Sequence, residues 1–279
     1  MKVLVFIPTL NAQKFISRQI DMLRKQTIKP DIFVVDSGST DKTLEILREK
    51  HINYKIISKN NFNHGLTRNE VLKFDKYKYY LFLTQDAIPC DEFLVENMLK
   101  MFEEKVKIVY ARHIPYDFSD EIEYFSREFN YPVNTFIKSL DDVNKLGIKT
   151  FFTSNSCCMY EANYFRFKKG FKKVNVSEDM EFAYRCIMDG YFIGYAANAK
   201  VCHSHLYNFK EIYNRYFEIG KFFCMHPYLN KYMNMGEGIS QVRYVLKKLF
   251  KKKSYLLILK FIVQVMIKYI AFNRGKKSC

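Results

Sequence analysis

The stretch Tyr80-Leu81-Phe82-Leu83-Thr84-Gln85-Asp86-Ala87-Ile88-Pro89 is an apolar run that ends on one carboxylate and a proline-containing turn. An apolar run without polar alternation reads as a strand buried on both faces, the pattern of a parallel α/β sheet. Ligands of such sheets gather at the carboxyl ends of the strands, which is where Asp86 falls. A carboxylate there, ahead of a helix-like segment from Asp91 to Phe102, is sited to hold a hard divalent cation, Mg²⁺ or Mn²⁺, against a phosphate-bearing ligand. Capping of the turn before Pro89 explains Asp86 equally well from this stretch alone.

Working outward, Val3 to Ile7 reads as a first buried strand, followed by the turn Pro8-Thr9-Leu10-Asn11 and by helical spacing in Phe15, Ile20 and Leu23. Asp31 to Asp36 is a second strand that again ends on a carboxylate. Ser37-Gly38-Ser39-Thr40-Asp41 then leads into a helix bearing Leu44, Ile46 and Leu47, with Thr40 or Asp41 as its N-cap. With a third strand at Tyr54 to Ile57, these βα units predict a mostly parallel, nucleotide-type sheet flanked by helices. Neither G-x-G-x-x-G nor G-x-x-x-x-G-K-[ST] occurs, so a dinucleotide fold and a P-loop are both unsupported. Arg68 stands where the polar loop Asn60 to Asn69 enters a helix, a position that suits a diphosphate because backbone N–H groups and a guanidinium both favour an anion. A solvated loop with a helix cap is the alternative.

The 279 residues, 48% of them hydrophobic, suffice for one large α/β domain with an appendage. A net charge of +16 favours anionic partners: nucleotide phosphates, lipid headgroups or nucleic acid. Seven cysteines without a C-x-x-C pair fit neither a disulfide framework nor a zinc knuckle and point to a reducing cytosol. The apolar run at the amino terminus is too short for a signal peptide and is stopped by Pro8.

The long polar and aromatic segment from Tyr116 to Lys149 is expected to cover the site or shape an acceptor groove. Arg112 and Arg127 read either as substrate contacts or as partners of nearby carboxylates, the second being preferred for Arg127. Ser154-Asn155-Ser156 interrupts a β-like segment with small polar side chains that reach toward a sugar. Ser177-Glu178-Asp179 opens a helix whose buried face is Phe182, Ala183, Ile187 and Met188 and which ends at Gly190. Carboxylates at a helix N-terminus stay ionised, which suits a general base, although capping alone gives the same pattern. Tyr191 to Tyr195 and Ala199 to Val201 read as a short hairpin, after which alternation places His203 and His205 on one face.

Several of these motifs together resemble the family 2 nucleotide-sugar glycosyltransferases, which have the GT-A fold. They are Pro8-Thr9-x-Asn11, Asp36-Ser37-Gly38-Ser39-x-Asp41, the carboxylate Asp86 and the pair Glu178-Asp179. Within that family the chain is similar to bacterial rhamnosyltransferases through Asn63-His64-Gly65-x-Thr67-Arg68-Asn69, Thr84-Gln85-Asp86-Ala87-x-Pro89, Ala111-Arg112-x-x-Pro115, Glu123-x-x-x-Arg127-x-Phe129-Asn130-Tyr131-Pro132 and Phe152-x-Ser154-Asn155-Ser156. The likeness runs from Val3 to about His205. One departure is Thr84, where many members carry the first Asp of Asp-x-Asp; the second, the direct metal ligand, is retained as Asp86.

The resemblance implies an inverting transferase using dTDP-L-rhamnose and a glycan acceptor. It implies that Pro8, Thr9, Asn11, Asp36, Ser37 and Gly38 hold the base and ribose, and that His64, Gly65, Arg68, Asn69, Thr84, Gln85 and Asn155 complete the donor site. Asp179 is then the general base, with Glu178 the second choice, and Asp86 with His205 holds Mn²⁺ or Mg²⁺, His203 being the alternative to His205. A UDP-sugar donor, and a non-catalytic protein that binds nucleotide sugars or nucleic acid, are the competing readings.

From Gly238 onward the chain contains no Asp or Glu, and Lys260, Gln264 and Lys268 recur every fourth residue in the apolar run Tyr255 to Phe272. Residues 1–237 are therefore read as the catalytic domain and 238–279 as a basic amphipathic tail. The tail is expected to lie in the membrane interface at the cytoplasmic face, beside a lipid-linked acceptor. Packing of the same helix on the domain, with its lysines in water, is the alternative.

Overall fold

The computed structural model describes residues 2–205, 207–233 and 235–279, without the side chains of Met235 and Glu237. The strands are β1 (Val3–Thr9), β2 (Asp31–Asp36), β3 (Asn53–Ile56), β4 (Tyr79–Leu83), β5 (Ile88–Pro89), β6 (Val106–Ile114), β7 (Phe136–Lys138), β8 (Cys157–Glu161) and β9 (Phe192–Cys202). The helices are α1 (Ile16–Arg24), α2 (Thr43–Glu49), α3 (His64–Arg68), α4 (Leu94–Leu99), α5 (Glu121–Asn130), α6 (Val143–Leu146), α7 (Ala162–Phe167), α8 (Glu178–Met188), α9 (Phe209–Met225), α10 (Met235–Lys251) and α11 (Tyr255–Lys276).

One sheet runs β3-β2-β1-β4-β8-β6-β9-β5, with β7 also on β9. β1 to β4 are parallel, as the unbroken apolar runs of β1 and β4 predict, while β8 enters antiparallel to both β4 and β6. Strand alternation sorts the core into two kinds of packing. Val3, Val5 and Ile7 meet Ile16, Ile20 and Leu23 of α1 and the aliphatic face of α4. Phe6 and Phe82 face the other way, into a cluster with Tyr160, Phe165, Phe171 and Phe182. Its edge-on contacts, such as Tyr160 on Phe171 at 5.5 Å and 89°, tie the sheet to α8 and to the loop before it.

The expected hairpin at 191–201 is instead the single 11-residue strand β9, which pairs with β6 through a register shift between Ala111 and Arg112. The break that read as a turn between Tyr195 and Ala199 is that irregularity, after which Arg112 pairs with Lys200. β9 therefore ends beside β5, placing the residues after Cys202 opposite the turn that holds Asp86.

The carboxyl-terminal helices α10 and α11 dock on the rest of the chain. Ile122 and Phe125 of α5 share a cluster with Val245 and Leu249 of α10 and with Ile258 and Phe261 of α11. α11 crosses α9 at Gly220 and Gly275, where an added Cβ would lie 2.1 Å from the Phe272 carbonyl and 2.0 Å from the Phe217 carbonyl. The two backbones touch there, and only glycine fits at either position.

The polar stripe of α11 faces the rest of the chain, with Gln264 buried and the Lys260 side chain still 42% exposed. Lys260, Gln264 and Lys268 line a cleft between α11 and the rest of the chain, and Lys260 pairs with Asp120 at 2.7 Å. The outward face is apolar, with Leu256 86%, Leu259 63% and Tyr269 68% exposed. The helix is long and apolar enough to cross a membrane by length and composition.

Candidate active site

A cleft of about 1000 Å³ opens at the carboxyl end of the sheet between α5, α8, α9 and α11. Of the residues singled out in the sequence, His64, Arg68, Thr84, Asn155, Glu178, Asp179 and His205 line it. Pro8, Thr9, Asn11, Asp36, Ser37, Gly38 and Gln85 lie at the neighbouring edge formed by β1 and β2, outside that cleft's walls. Gly65 and Asn69 do not line it and instead fasten the loop that precedes α8.

At the β1–β2 edge, Asp36 is fully buried and its carboxylate accepts from Thr9 Oγ1 at 3.0 Å, Ser39 Oγ at 2.5 Å, and the amides of Gly38 and Ser39 at 3.0 and 2.8 Å. Gly38 (φ +86°) and Asn11 (φ +53°) supply the left-handed backbone that this tight arrangement requires. The Asn11 side chain accepts from the Thr40 amide at 2.9 Å, tying the two turns together. Gln85 spends both ends of its amide on the backbone of Leu10, at 2.7 and 3.1 Å. The buried Ser37 hydroxyl lacks a hydrogen-bond partner.

The 63–69 motif is chiefly a fastening. Asn63 caps α3 by accepting from the amides of Gly65 and Leu66, and donates to the Val174 carbonyl at 3.0 Å. A Cβ on Gly65 would sit 2.5 Å from the Lys172 carbonyl. Asn69 clamps Phe171 by both its backbone groups, at 2.8 Å each. Arg68 pairs with Glu178 at 3.3 Å and donates to the His64 carbonyl at 3.0 Å. These contacts fix the segment that delivers Glu178 and Asp179.

The expected N-cap Ser177 makes no capping bond and is instead left-handed, with φ +62°. A non-glycine residue in that region costs of order 1–3 kcal/mol and turns the following carboxylates toward the cleft. Asn155 binds both: its amide N–H donates to Asp179 at 3.1 Å, its side-chain nitrogen donates to Glu178 at 2.9 Å, and its Oδ1 accepts from Tyr160 at 2.8 Å.

The two carboxylates are thereby made unequal. Burial pushes Glu178 up, but Arg68, His64 and the Asn155 hydrogen bond outweigh it and hold its pKa below the ordinary value. For Asp179, burial and then the Glu178 charge outweigh the Asn155 and Met180 amides, raising its pKa to about 7. The helix dipole, expected to keep both ionised, is the weaker effect at Asp179. A carboxylate poised near neutrality is suited to accept a proton.

The second constellation was half-read in the sequence. His203 Nε2 and His205 Nδ1 each lie 3.5 Å from one oxygen of Asp86, and the three ligand atoms fall within 4.8 Å of one another. Both histidines follow β9 and face Asp86, so His203 joins His205 rather than replacing it. Burial keeps both imidazoles neutral, as metal ligation requires. Both ring nitrogens of His203 are buried without a hydrogen bond, an arrangement costly unless a cation takes one of them. One carboxylate and two imidazoles thus fit a divalent transition metal better than a purely oxygen-seeking ion.

Sequence reasoning missed Tyr116, whose hydroxyl donates to the Asp86 carbonyl at 2.9 Å and whose ring stacks on Phe15 at 5.9 Å. It also missed Arg215 on α9, which lies over the Tyr207 ring at 5.8 Å in the cleft wall. Tyr116 directly follows the Pro115 that ends one of the quoted motifs; Arg215 carries no comparable signal. Arg127 pairs with Glu123 at 2.7 Å, as expected.

Residues 4–167 match the family model described as Glycosyl transferase family 2. The chain is 35% identical to the O-antigen chain rhamnosyltransferase RfbN of Salmonella typhimurium, over 99% of this chain and 90% of that protein. The chain belongs to glycosyltransferase family 2. This glycosyltransferase is also 34% identical to the O-antigen chain rhamnosyltransferase WbaN of Salmonella anatum, over 98% of its own length and 88% of the relative's. Among solved structures, the glycosyltransferase is similar to the mannosyltransferase PcManGT of Pyrobaculum calidifontis in complex with GDP-Man and Mn²⁺. The TM-score is 0.63 at 15% identity, covering 98% of this chain and 84% of that one. This likeness shows the GT-A fold in which the two constellations stand.

Proposed function

We propose that this glycosyltransferase inverts the anomeric centre as it moves L-rhamnose from dTDP-L-rhamnose onto a lipid-linked glycan in cell-surface polysaccharide synthesis. The observation that carries the reading is Asp179, its pKa raised to about 7 in the same cleft as His203 and His205. The two rhamnosyltransferase relatives, similar over nearly the whole chain, support the choice of sugar.

In this reading the β1–β2 edge holds the nucleoside. Asp86, His203 and His205 would hold a divalent cation, Mn²⁺ in preference to Mg²⁺, whose charge would offset that gathering on the departing diphosphate. Asp179 takes the proton from the acceptor hydroxyl as it attacks the sugar from the face opposite the nucleotide. Asn155 aims the Asp179 carboxylate, and Arg68 neutralises Glu178 rather than the diphosphate. The enzyme works at the cytoplasmic face of the membrane, with the outward apolar face of α11 in the interface. The exposed Lys251, Lys252 and Lys253 precede that helix, and Arg274 and Lys277 stand at its end. Residues 1–237 form the catalytic unit and 238–279 its attachment.

The test is nucleoside diphosphate release from dTDP-rhamnose, UDP-glucose, UDP-galactose and UDP-N-acetylglucosamine, each with Mn²⁺ or Mg²⁺. Release from dTDP-rhamnose alone is expected. Release from a UDP-sugar alone would overturn the sugar while leaving the base and metal constellation in place.

A further inference from the structure

β5 ends the sheet, and its backbone hold on β9 is slight. The pairing is two residues long, Ile88 opposite Cys202 and Pro89 opposite Val201, and Pro89 has no N–H to give. The Cys90 amide prolongs it by donating to the Lys200 carbonyl at 3.0 Å. Cys90 therefore lies opposite Lys200, diagonal to Cys202, and strand alternation puts both thiols on one face.

Their sulfurs stand 3.0 Å apart, about 1 Å more than the length of a disulfide bond. Cys90 is exposed and Cys202 half-buried, whereas Cys157, Cys158 and Cys186 are buried. A small oxidant reaches the pair from solvent and does not reach those three. The fold brings the two thiols together across 112 residues of sequence, and no step of the transfer described above uses either of them. Cys90 comes four residues after Asp86 and Cys202 directly before His203, so a bond between them joins the two segments that carry the metal-ligand candidates.

We propose that Cys90 and Cys202 form a reversible dithiol–disulfide site whose oxidant is a low-molecular-weight disulfide such as oxidised glutathione. One thiol loses its proton and attacks the S–S bond of the oxidant, giving a mixed disulfide and one small thiol that takes the proton up. The second cysteine attacks the protein sulfur of that mixed disulfide, and its proton leaves with the second small thiol. Two electrons pass from the protein to the oxidant, one S–S bond breaks and one forms.

The new bond staples β5 to β9 and closes a long loop, which raises stability chiefly by restricting the unfolded chain. Its exposed position leaves it open to attack by a thiol, so excess reduced glutathione reopens it. This chemistry is independent of which sugar donor the enzyme takes.

The test exposes the reduced full chain to excess oxidised glutathione, quenches with iodoacetamide and maps the peptides by mass spectrometry. Loss of the exposed Cys279 thiol reports that the oxidant has acted. A peptide pair linked through Cys90 and Cys202 is expected, with a melting temperature at least about 3 °C above that of the reduced chain. Cys90→Ser should lose the link and most of the rise, and excess reduced glutathione should reverse both in the wild type. Recovery of Cys90 and Cys202 as separate alkylated thiols, or each as its own glutathione adduct, would overturn the proposal. So would a link that survives excess reduced glutathione, or an equal rise in melting temperature for Cys90→Ser.

Discussion

Arg68 and Glu178 form an ion pair, 3.3 Å from Nη1 to Oε1, with side-chain exposures of only 4% and 7%. The pair joins α3 to the start of α8 and decides which of two adjacent carboxylates is free for chemistry. With its charge matched by Arg68, Glu178 becomes the fixed anion that helps push Asp179 toward neutrality.

Removing the guanidinium strands a buried charge, so Arg68→Met is expected to cost about 3–5 kcal/mol of folding stability. The double change Arg68→Met with Glu178→Gln should recover much of that loss, since neither charge then remains unpaired. Urea denaturation of the three proteins measures the coupling. An Arg68→Met protein as stable as wild type would show that the pair contributes nothing.

Because His203 and His205 stand equally close to Asp86, His203→Ala and His205→Ala should each weaken Mn²⁺ binding, and Asp86→Asn should weaken it as well. Removal of metal with EDTA is expected to suppress turnover, the metal's contribution being several kcal/mol. Mn²⁺ titration followed by electron paramagnetic resonance separates the three variants. Full retention of Mn²⁺ affinity by His203→Ala would reduce the site to Asp86 and His205.

Alanine normally gains up to about 1 kcal/mol over glycine in a helix interior. At Gly220 and Gly275 the opposite is expected, because the new Cβ meets a backbone carbonyl at 2.1 or 2.0 Å and neither helix can yield locally. Each Gly→Ala change should destabilise by about 1–3 kcal/mol, the usual cost of overpacking. Thermal melts showing a gain in stability at both positions would mean that α11 is not seated on α9.

Asp179 ties stability and activity to pH with opposite signs. Its pKa rises from 3.8 to about 7 on folding, so between those values the folded chain holds a proton that the unfolded chain has lost. The group's effect on stability is nil below that window, becomes increasingly unfavourable through it, and is complete above pH 7. Asp179→Asn should therefore melt higher than wild type at pH 8, with the gain shrinking toward pH 4. Wild-type turnover should rise with pH through about 7 as the base loses its proton. Melting curves and rates over the same buffers check both signs.

The features legible in the sequence are those written in short runs. β1 and β4 announce themselves as unbroken apolar segments, and Asp86 and Asp179 stand out because each follows a recognisable break in such a pattern. The fastening role of Asn69 is not local, since its partner Phe171 is 102 residues away. The 63–69 motif consequently read as a ligand loop when much of it secures the chain before α8. A polar stripe on a helix looks the same whether it meets water or a cleft, so the direction of Lys260 and Lys268 required the packing of Gly220 against α11. The continuity of β9 was hidden for a similar reason: its irregularity depends on the partner strand β6, which local spacing does not show.

The most direct test of the account compares wild type with Asp179→Asn in steady-state sugar transfer from dTDP-rhamnose, beside the affinity of each protein for dTDP with Mn²⁺. Turnover is expected to fall by about 10²- to 10⁴-fold, the usual contribution of a positioned base, with dTDP affinity within about twofold of wild type. Near-wild-type turnover by Asp179→Asn would contradict the assignment of the proton acceptor on which the account rests.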